Sequence, residues 1–348
     1  MRSAAPFSLV TSLILLLCLP SSADRPPTAR PAFPQAIQGI TISTHGSGSD
    51  WGSDAMRPTM ATLSDLGANW VTIHPYAAIQ ADGSVRFRPI DPDNPPQAIL
   101  RPIREAHQLG LKILIKPHLA YWGSPFAWRG DIRFDDAASW NRFFDSYRDW
   151  IVGLAAVSRE ADGFVVGTEL GATLETAENA SRWRRIIQDV RKVNRTALTY
   201  AANWDRYQDV PFWKQLDAIG IQAYFPLIRD GEATTEETLR AGWQRWTAEL
   251  RRYSAESDRP VLFTELGYNH SQRTAIEPWS SATDDAGEAT QELCTRIALQ
   301  VVAKEPSILG AFLWKWFPEP RSVGRNFRLA TPTMRRTIRD AWQATTAE

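Results

Sequence analysis

Short runs of β-branched and other apolar residues recur eight times along this 348-residue chain, each followed by a longer amphipathic stretch. Such alternation is typical of βα units, whose strands pair in parallel. The predicted strands cover residues 39–44, 70–76, 112–119, 163–170, 197–203, 218–224, 261–267 and 309–316. The helix pattern is clearest over residues 143–154, where apolar side chains at three-and-four spacing place one face on a sheet.

Eight regular units predict an α/β fold with one domain, a single (β/α)8 TIM barrel over residues 37–348. A last helix near residues 332–342 would complete the ring. The alternative is a doubly wound open sheet. It is disfavoured because no Gly-x-Gly-x-x-Gly turn follows the first strand.

The first 23 residues have the pattern of a secretory signal peptide, with Arg2 as their only charge and small residues before the expected cut at Asp24. The apolar run, residues 13–19, is shorter than the roughly 20 residues that span a bilayer. We therefore expect an exported protein that keeps no membrane anchor. Lipid attachment at Cys18 is disfavoured because Leu17 precedes it. Residues 24–36, rich in proline, predict an extended linker.

Removing the signal peptide leaves a charge balance close to zero, because one of 39 basic side chains is lost against 39 acidic ones. This balance gives no reason to expect nucleic acid or an anionic membrane as a partner. Cys294 would be the only remaining cysteine, so an internal disulfide is excluded and the core must stabilise the fold. We expect the protein to act as a monomer.

In a barrel of this kind the active site forms at the carboxyl ends of the strands, and here those ends are polar and aromatic. Residues two apart in a strand share a face, which predicts that Lys116 with His118, and Trp314 with Trp316, look into the barrel mouth. A single polar side chain at a strand end can also serve only to anchor a loop. The strand-end residues are His74, Tyr76, Lys116, His118, Glu169, Asn203, Tyr224, Glu265, Trp314 and Trp316.

Glu169 and Glu265 are the most informative of these residues, because a carboxylate at the end of an apolar strand is costly to bury. Two such carboxylates across one mouth suit glycosidic bond cleavage, with one as acid and the other as nucleophile or general base. A gap of about 5 to 5.5 Å retains configuration, and about 6.5 to 9.5 Å inverts it. The alternative is a purely structural salt bridge with Lys116 or an arginine.

Metal-dependent barrel hydrolysis is a second alternative. It normally uses a His-x-His pair at an early strand end, and the histidines at 45, 74, 107, 118 and 270 contain no such pair. We therefore predict neither a metal nor another cofactor. A third alternative is a barrel that binds sugar without catalysis, and the presence of both glutamates argues against it.

Four short motifs resemble glycoside hydrolase clan A, and within it the family 113 β-mannanases. They are Lys-Pro-His at 116–118, Gly-Thr-Glu-Leu at 167–170, Phe-Thr-Glu-Leu-Gly-Tyr at 263–268 and Leu-Trp-Lys-Trp at 313–316. The resemblance covers the barrel from about residue 39 to 342. It implies a retaining enzyme with Glu169 as acid/base and Glu265 as nucleophile, acting on β-1,4-mannan or a related polysaccharide or oligosaccharide. Glucan and galactan stay open as substrates, because they need similar carboxylates.

The same resemblance implies roles for the neighbouring side chains. Tyr224 would donate a hydrogen bond to Glu265 and favour its ionised form. Thr168 stands where the wider clan has asparagine, so Asn203 would contact the sugar 2-hydroxyl in its place. Trp314 or Trp316 would stack under the sugar. Further contacts to sugar hydroxyls would come from His74, Lys116 and His118. The loop tryptophans, Trp51, Trp122 and Trp128, would either contact outer sugars or pack beneath their loops.

Overall fold

A computed structural model describes residues 32–318 and 324–346 of the chain, together with Met1. Eight parallel strands close into a barrel, which confirms the predicted (β/α)8 fold. The ring order is β1, β11, β10, β9, β8, β7, β5, β2. These strands are β1 (Ile37–Ile42), β2 (Trp70–Ile73), β5 (Lys112–Ile115), β7 (Gly163–Thr168), β8 (Ala197–Asn203), β9 (Ile219–Gln222), β10 (Val261–Leu266) and β11 (Ile308–Trp316).

The second and third barrel strands are shorter than predicted, because each is interrupted near a proline. Pro75 follows β2 and Pro117 follows β5, and a proline has no N–H to continue a sheet ladder. Beyond the break the chain forms β3 (Tyr76–Ile79) and β6 (His118–Ala120), which pair in parallel. With β4 (Val85–Arg86) they make a separate three-stranded sheet.

Seven α-helices lie among the described residues. The connection from β8 to β9 departs from the predicted alternation, since two short 3-10 turns, Tyr207–Asp209 and Trp213–Gln215, replace a helix there. Pro211 falls between those turns, where a helix would lose a hydrogen bond. The helices are α1 (Met56–Asp65), α2 (Gln97–Gln108), α3 (Ala137–Val157), α4 (Ala177–Val193), α5 (Glu236–Ser257), α6 (Gly287–Lys304) and α7 (Pro332–Thr346).

The core has two parts, one between the barrel and its helices and one inside the barrel. Phe33 belongs to the inner part although it lies in the predicted linker, and its ring approaches the Trp70 ring at 6.3 Å. The barrel packing therefore begins before β1. Among the other inner residues are Leu114, Val165, Ala197, Ala201, Ala218, Leu262 and Phe312.

The predicted signal peptide and residues 24–31 of the predicted linker lie outside the described residues, except for Met1. No helix in the described ranges is both long enough and apolar enough to cross a membrane.

Gly167, on β7, is required by close packing rather than by its backbone angles. A Cβ there would lie 2.7 Å from the Trp183 ring and 2.8 Å from the Tyr200 ring. We therefore expect Gly167→Ala to lower the free energy of unfolding by about 1–3 kcal/mol in urea denaturation. Gly171→Ala is the matched control, because its nearest neighbour would be Arg206 Nε at 3.8 Å. Equal stability losses in the two variants would contradict this account.

Candidate active site

A break in strand pairing turns Glu265 toward the barrel mouth. Phe263 pairs with Ile221 and Glu265 pairs with Gln222, so two residues of β10 advance against one residue of β9. Leu262 faces the barrel interior, and strict alternation from it would turn Glu265 outward. The bulge reverses that direction, as bulges beside active sites commonly do.

The Glu265 carboxylate is held by two hydrogen-bond donors on opposite oxygens. Tyr224 donates its hydroxyl proton to Oε2 at 2.5 Å, and the Lys116 ammonium donates to Oε1 in a buried ion pair. His118 Nε2 lies 3.6 Å from the same Oε1. Because Glu265 is only 4% exposed, these contacts replace the water that would otherwise solvate its charge.

Lys116 has no proton left for a sugar hydroxyl in this arrangement. Besides Glu265, its Nζ donates to the Thr264 carbonyl at 3.2 Å and to Gln222 Oε1 at 3.4 Å. An ammonium group has three N–H donors, and all three are thus used inside the protein. Burial lowers the Lys116 pKa, and the Glu265 charge opposes that shift. The geometry makes Lys116 a partner of the carboxylate rather than the predicted sugar contact.

Glu169 reaches the mouth through a second irregularity. Val165 pairs with Thr199 and Thr168 with Ala201, so three residues of β7 advance against two of β8. Glu169 follows with φ 54°, and its N–H donates to the Ala201 carbonyl at 2.8 Å. Such a backbone conformation costs a non-glycine residue of order 1–3 kcal/mol. It aims the side chain where a regular strand would not.

The surroundings of Glu169 favour its protonated form. Burial raises its pKa most, and the negative charge of Glu265 raises it further. Arg129 and Lys116 act in the opposite direction, with the Arg129 Nη1 atom 3.6 Å from Glu169 Oε2. The two carboxyls therefore differ: Glu265 is bound by a cation and a hydroxyl, whereas Glu169 has a raised pKa.

Two buried histidines adjoin the pair as neutral rings. Burial lowers the pKa of His74 and of His118 well below the ordinary value, and the Lys116 charge contributes to both shifts. Their ring centroids lie 4.9 Å apart, and His74 Nε2 contacts Ser43 Oγ at 3.1 Å. Within residues 32–318 and 324–346, the buried atoms His74 Nδ1 and His118 Nε2 have no hydrogen-bond partner.

Of the two tryptophans predicted on β11, only Trp314 joins this group. Its ring lies 5.9 Å from His118, nearly parallel, and 5.1 Å from Lys116 Nζ. Trp316 is 1% exposed and packs under the Arg335 guanidinium of α7. The register between β1 and β11 shifts here, because Leu313 pairs with Ile40 and Trp316 with Ile42. The extra residue in β11 breaks the alternation of side chains that would have placed Trp314 and Trp316 on one face. The prediction that both rings face the mouth is therefore wrong for Trp316.

Asn203 lies at the end of β8, beside Gln222 of β9. It is half-buried, and its amide nitrogen donates to Asp205 Oδ1 at 2.7 Å. Thr168 points elsewhere, because its hydroxyl donates to the Pro117 carbonyl at 2.9 Å. Asn203 therefore lies at the rim of the barrel, one strand away from Tyr224, which follows β9.

The predicted outer tryptophans divide into three environments. Trp51 is buried and donates its N–H to the Ile42 carbonyl at 2.9 Å, so it packs beneath the loop. Trp128 is half-buried with its ring against Gly130. Trp122 is 65% exposed and contacts the Tyr76 ring at a centroid distance of 5.6 Å.

Sequence reasoning missed two residues of the site. Gln222 is 1% exposed and lies two positions before Tyr224, so strand alternation offered a usable signal for it. Arg129 comes from a 3-10 turn in the connection between β6 and α3, where no periodicity applies. No group of three or more potential metal ligands occurs in the described part of the chain.

Paired carboxyl groups at the carboxyl ends of two strands of a closed barrel define a glycoside hydrolase type of site. The sequence profile of Glycoside Hydrolase Family 113 matches residues 40–323. The chain belongs to this family and is a glycoside hydrolase, as the four motifs indicated. A comparison with curated protein sequences gives no match.

Solved structures share the fold. The GH113 β-mannanase AaManA from Alicyclobacillus acidocaldarius, in complex with ManMIm, has a TM-score of 0.75 and 24% identity, covering 89% of this chain and 97% of that one. A second GH113 β-1,4-mannanase, solved as a complex, has a TM-score of 0.74 and 20% identity, covering 89% and 99%. A Faecalibacterium prausnitzii β-glucuronidase has a TM-score of 0.60 and 14% identity, covering 89% and 49%.

The Lys116–Glu265 ion pair predicts strong energetic coupling. Lys116→Met leaves a buried carboxylate without its cation, so we expect a loss of about 3–5 kcal/mol in the free energy of unfolding at pH 7. The double variant Lys116→Met/Glu265→Gln should lose much less than the sum of the single variants, as urea denaturation would measure.

The matched control for this cycle is Lys112→Met, at the exposed start of the same strand β5. We expect it to change the free energy of unfolding by no more than about 0.5 kcal/mol. Additive losses in the Lys116 and Glu265 variants would contradict the coupling.

Proposed function

We propose that this protein is a retaining glycoside hydrolase that cleaves β-1,4-linked mannan, with Glu265 as nucleophile and Glu169 as acid/base. The observation that carries the proposal is the unequal environment of the two carboxyls. Glu265 is oriented by Tyr224 and Lys116, whereas burial and the Glu265 charge raise the pKa of Glu169. A nucleophile must be ionised and an acid must carry a proton, which matches these environments.

In the first step the protonated Glu169 gives its proton to the glycosidic oxygen while a Glu265 oxygen attacks the anomeric carbon. The bond to the leaving sugar breaks, and an ester bond joins the remaining sugar to Glu265. This step consumes the negative charge of Glu265. Lys116 then lies beside a neutral ester, where its charge can stabilise the departure of the carboxylate in the second step.

The second step needs Glu169 as a base. Loss of the Glu265 charge removes one cause of the raised Glu169 pKa, while Arg129 and Lys116 continue to favour the ionised form. Glu169 can then accept a proton from water as the water oxygen attacks the anomeric carbon and the Glu265 ester bond breaks. One residue thus serves first as acid and then as base.

The mannan part of the proposal is supported by the β-mannanase names of the two GH113 structures compared above. Family membership alone leaves glucan and galactan as other β-linked substrates. Hydrolysis of a panel of mannan, glucan and galactan, with product sizes measured, tests this part.

We further propose that the enzyme is exported after cleavage before Asp24 and acts as a monomer, which N-terminal sequencing and sedimentation of the secreted protein would test.

Azide rescue is expected to separate the roles of the two glutamates. In Glu169→Gln, an aryl β-mannoside with a good leaving group still glycosylates Glu265, but no base activates water. Azide needs no base, so it should restore turnover and give the β-mannosyl azide. In Glu265→Gln, hydrolysis should fall by about 10⁴-fold or more. Any azide product from that variant should be the α anomer, because azide would take the place of Glu265 and attack the anomeric carbon from the face opposite the leaving group.

Proton NMR of the azide products and circular dichroism of both variants provide the measurements. Glu265→Gln should stay folded, because burial lowers the Lys116 pKa and the lysine can become neutral once its anion is gone. Ordinary hydrolysis by Glu265→Gln would contradict its role. An α azide from Glu169→Gln would contradict the proposed double displacement.

The pH profile is expected to depend on Arg129. Glu169 must be protonated in the first step, so kcat/KM declines as the pH rises through its pKa. Arg129 lowers that pKa, and its removal in Arg129→Gln should raise it. The alkaline limb of the kcat/KM profile should therefore move to higher pH.

Arg133→Gln serves as the control, because Arg133 is exposed and pairs with Glu175 instead of Glu169. Its alkaline limb should coincide with that of the unmodified enzyme. An unchanged limb in Arg129→Gln, or a shift to lower pH, would contradict the assignment of this limb to Glu169.

A further inference from the structure

Two exposed tryptophans stand out on the face of the barrel that carries the active site. Among the Trp, Tyr and Phe side chains that the structure describes, only Trp122 and Trp279 are exposed, at 65% and 49%. Both lie in connections that leave the carboxyl ends of barrel strands, after β5 and β10. Single exposed apolar side chains are common on protein surfaces, so exposure alone assigns neither indole a partner.

Trp279 is part of an aromatic stack. Its ring lies 5.4 Å from the Trp204 ring at an interplanar angle of 17°, and Trp204 contacts Phe225 and Trp246 behind it. One face of the Trp279 indole is therefore supported by an aromatic cluster, and the side chain remains half exposed to solvent. We call Trp204 and Trp279 the distal platform.

The loop that carries Trp279 is fixed from below. Asn269 is 1% exposed, and its amide nitrogen donates to the carbonyls of Ser280 at 3.0 Å and Ala282 at 2.6 Å. The Ser280 N–H donates to the Glu277 carbonyl at 3.0 Å, closing a turn with Trp279 at its tip. The indole is thus presented on an ordered turn, which limits the entropy lost when a ligand stacks on it.

The distal platform and Trp122 belong to connections on different sides of the ring of strands. Trp204 contacts Phe225, and Phe225 follows Tyr224, which donates to Glu265. On the other side Trp122 connects through aromatic contacts at β3 and β6 to the same carboxylate. In the ring of strands, β8 to β10 lie across from β2 and β5. The connections that carry Trp279 and Trp122 therefore leave the barrel from opposite sides of the ring of strands.

We propose that the distal platform is a sugar-binding site that stacks one hexose ring of a β-linked polysaccharide, away from the bond that is cleaved. An indole face matches the apolar C–H face of a pyranose, and an uncharged chain fits a platform made of uncharged rings. The proposal rests on the proposed function for the chemistry of its ligand.

Binding by the inactive Glu265→Gln protein tests this site. Isothermal titration with mannobiose, mannotetraose and mannohexaose would compare that protein with Glu265→Gln/Trp279→Ala. We expect the second substitution to raise the Kd for mannohexaose about tenfold, a loss that grows with chain length because only longer chains reach the platform. Trp279→Phe should recover part of the affinity.

Val193→Ala is the matched control in the same background. Val193 is an exposed apolar residue, at the end of α4 before β8, and thus on the opposite face of the barrel. It should leave every Kd unchanged. Equal losses for all chain lengths, or no loss for mannohexaose, would overturn the platform while the proposed function stands. No binding or cleavage of any mannan would overturn both.

A second copy of the chain could bind the distal platform in place of a sugar. Sedimentation of the unmodified protein and of Trp279→Ala distinguishes it from sugar. A monomer in both cases supports the sugar site. A dimer that Trp279→Ala dissociates would overturn the sugar site and assign the patch to self-association.

Discussion

The site depends on one buried charge, the Glu265 carboxylate between the Lys116 ammonium and the Tyr224 hydroxyl. A carboxylate this deep in a barrel mouth needs a partner on each oxygen, and these two side chains provide them. A structural ion pair alone would explain Lys116 but not the second carboxyl of Glu169, with its raised pKa, in the same mouth. The same two contacts also orient the Glu265 carboxylate, as the proposed attack requires.

Backbone irregularity converts a regular barrel into this site. A bulge turns Glu265 inward on β10, and the combination of a bulge and a positive φ aims Glu169 on β7. Close packing supports the strained segment, since the Trp183 and Tyr200 rings leave no room for a Cβ at Gly167. Packing in the surrounding core thus offsets the conformational free energy of the irregular backbone, as strained residues at functional sites require.

Much of the fold and the two glutamates could be predicted because they follow from periodic apolar runs and from the polar residues that end them. Pro75 and Pro117 also stood in the sequence, yet the second sheet that they initiate depends on a pairing between β3 and β6 that no local pattern encodes. Trp316 was misplaced because alternation fails at a register shift. Arg129 comes from a loop, whose path depends on tertiary packing.

The central claim is that Glu265 forms a covalent bond to the sugar. A 2-deoxy-2-fluoro-mannosyl fluoride slows both steps but keeps a good leaving group, so the glycosyl-enzyme should accumulate. Intact-mass spectrometry followed by peptide mapping should then find one added sugar, attached at Glu265. A label on another residue, or no label while ordinary substrate is turned over with inverted configuration, would contradict the account.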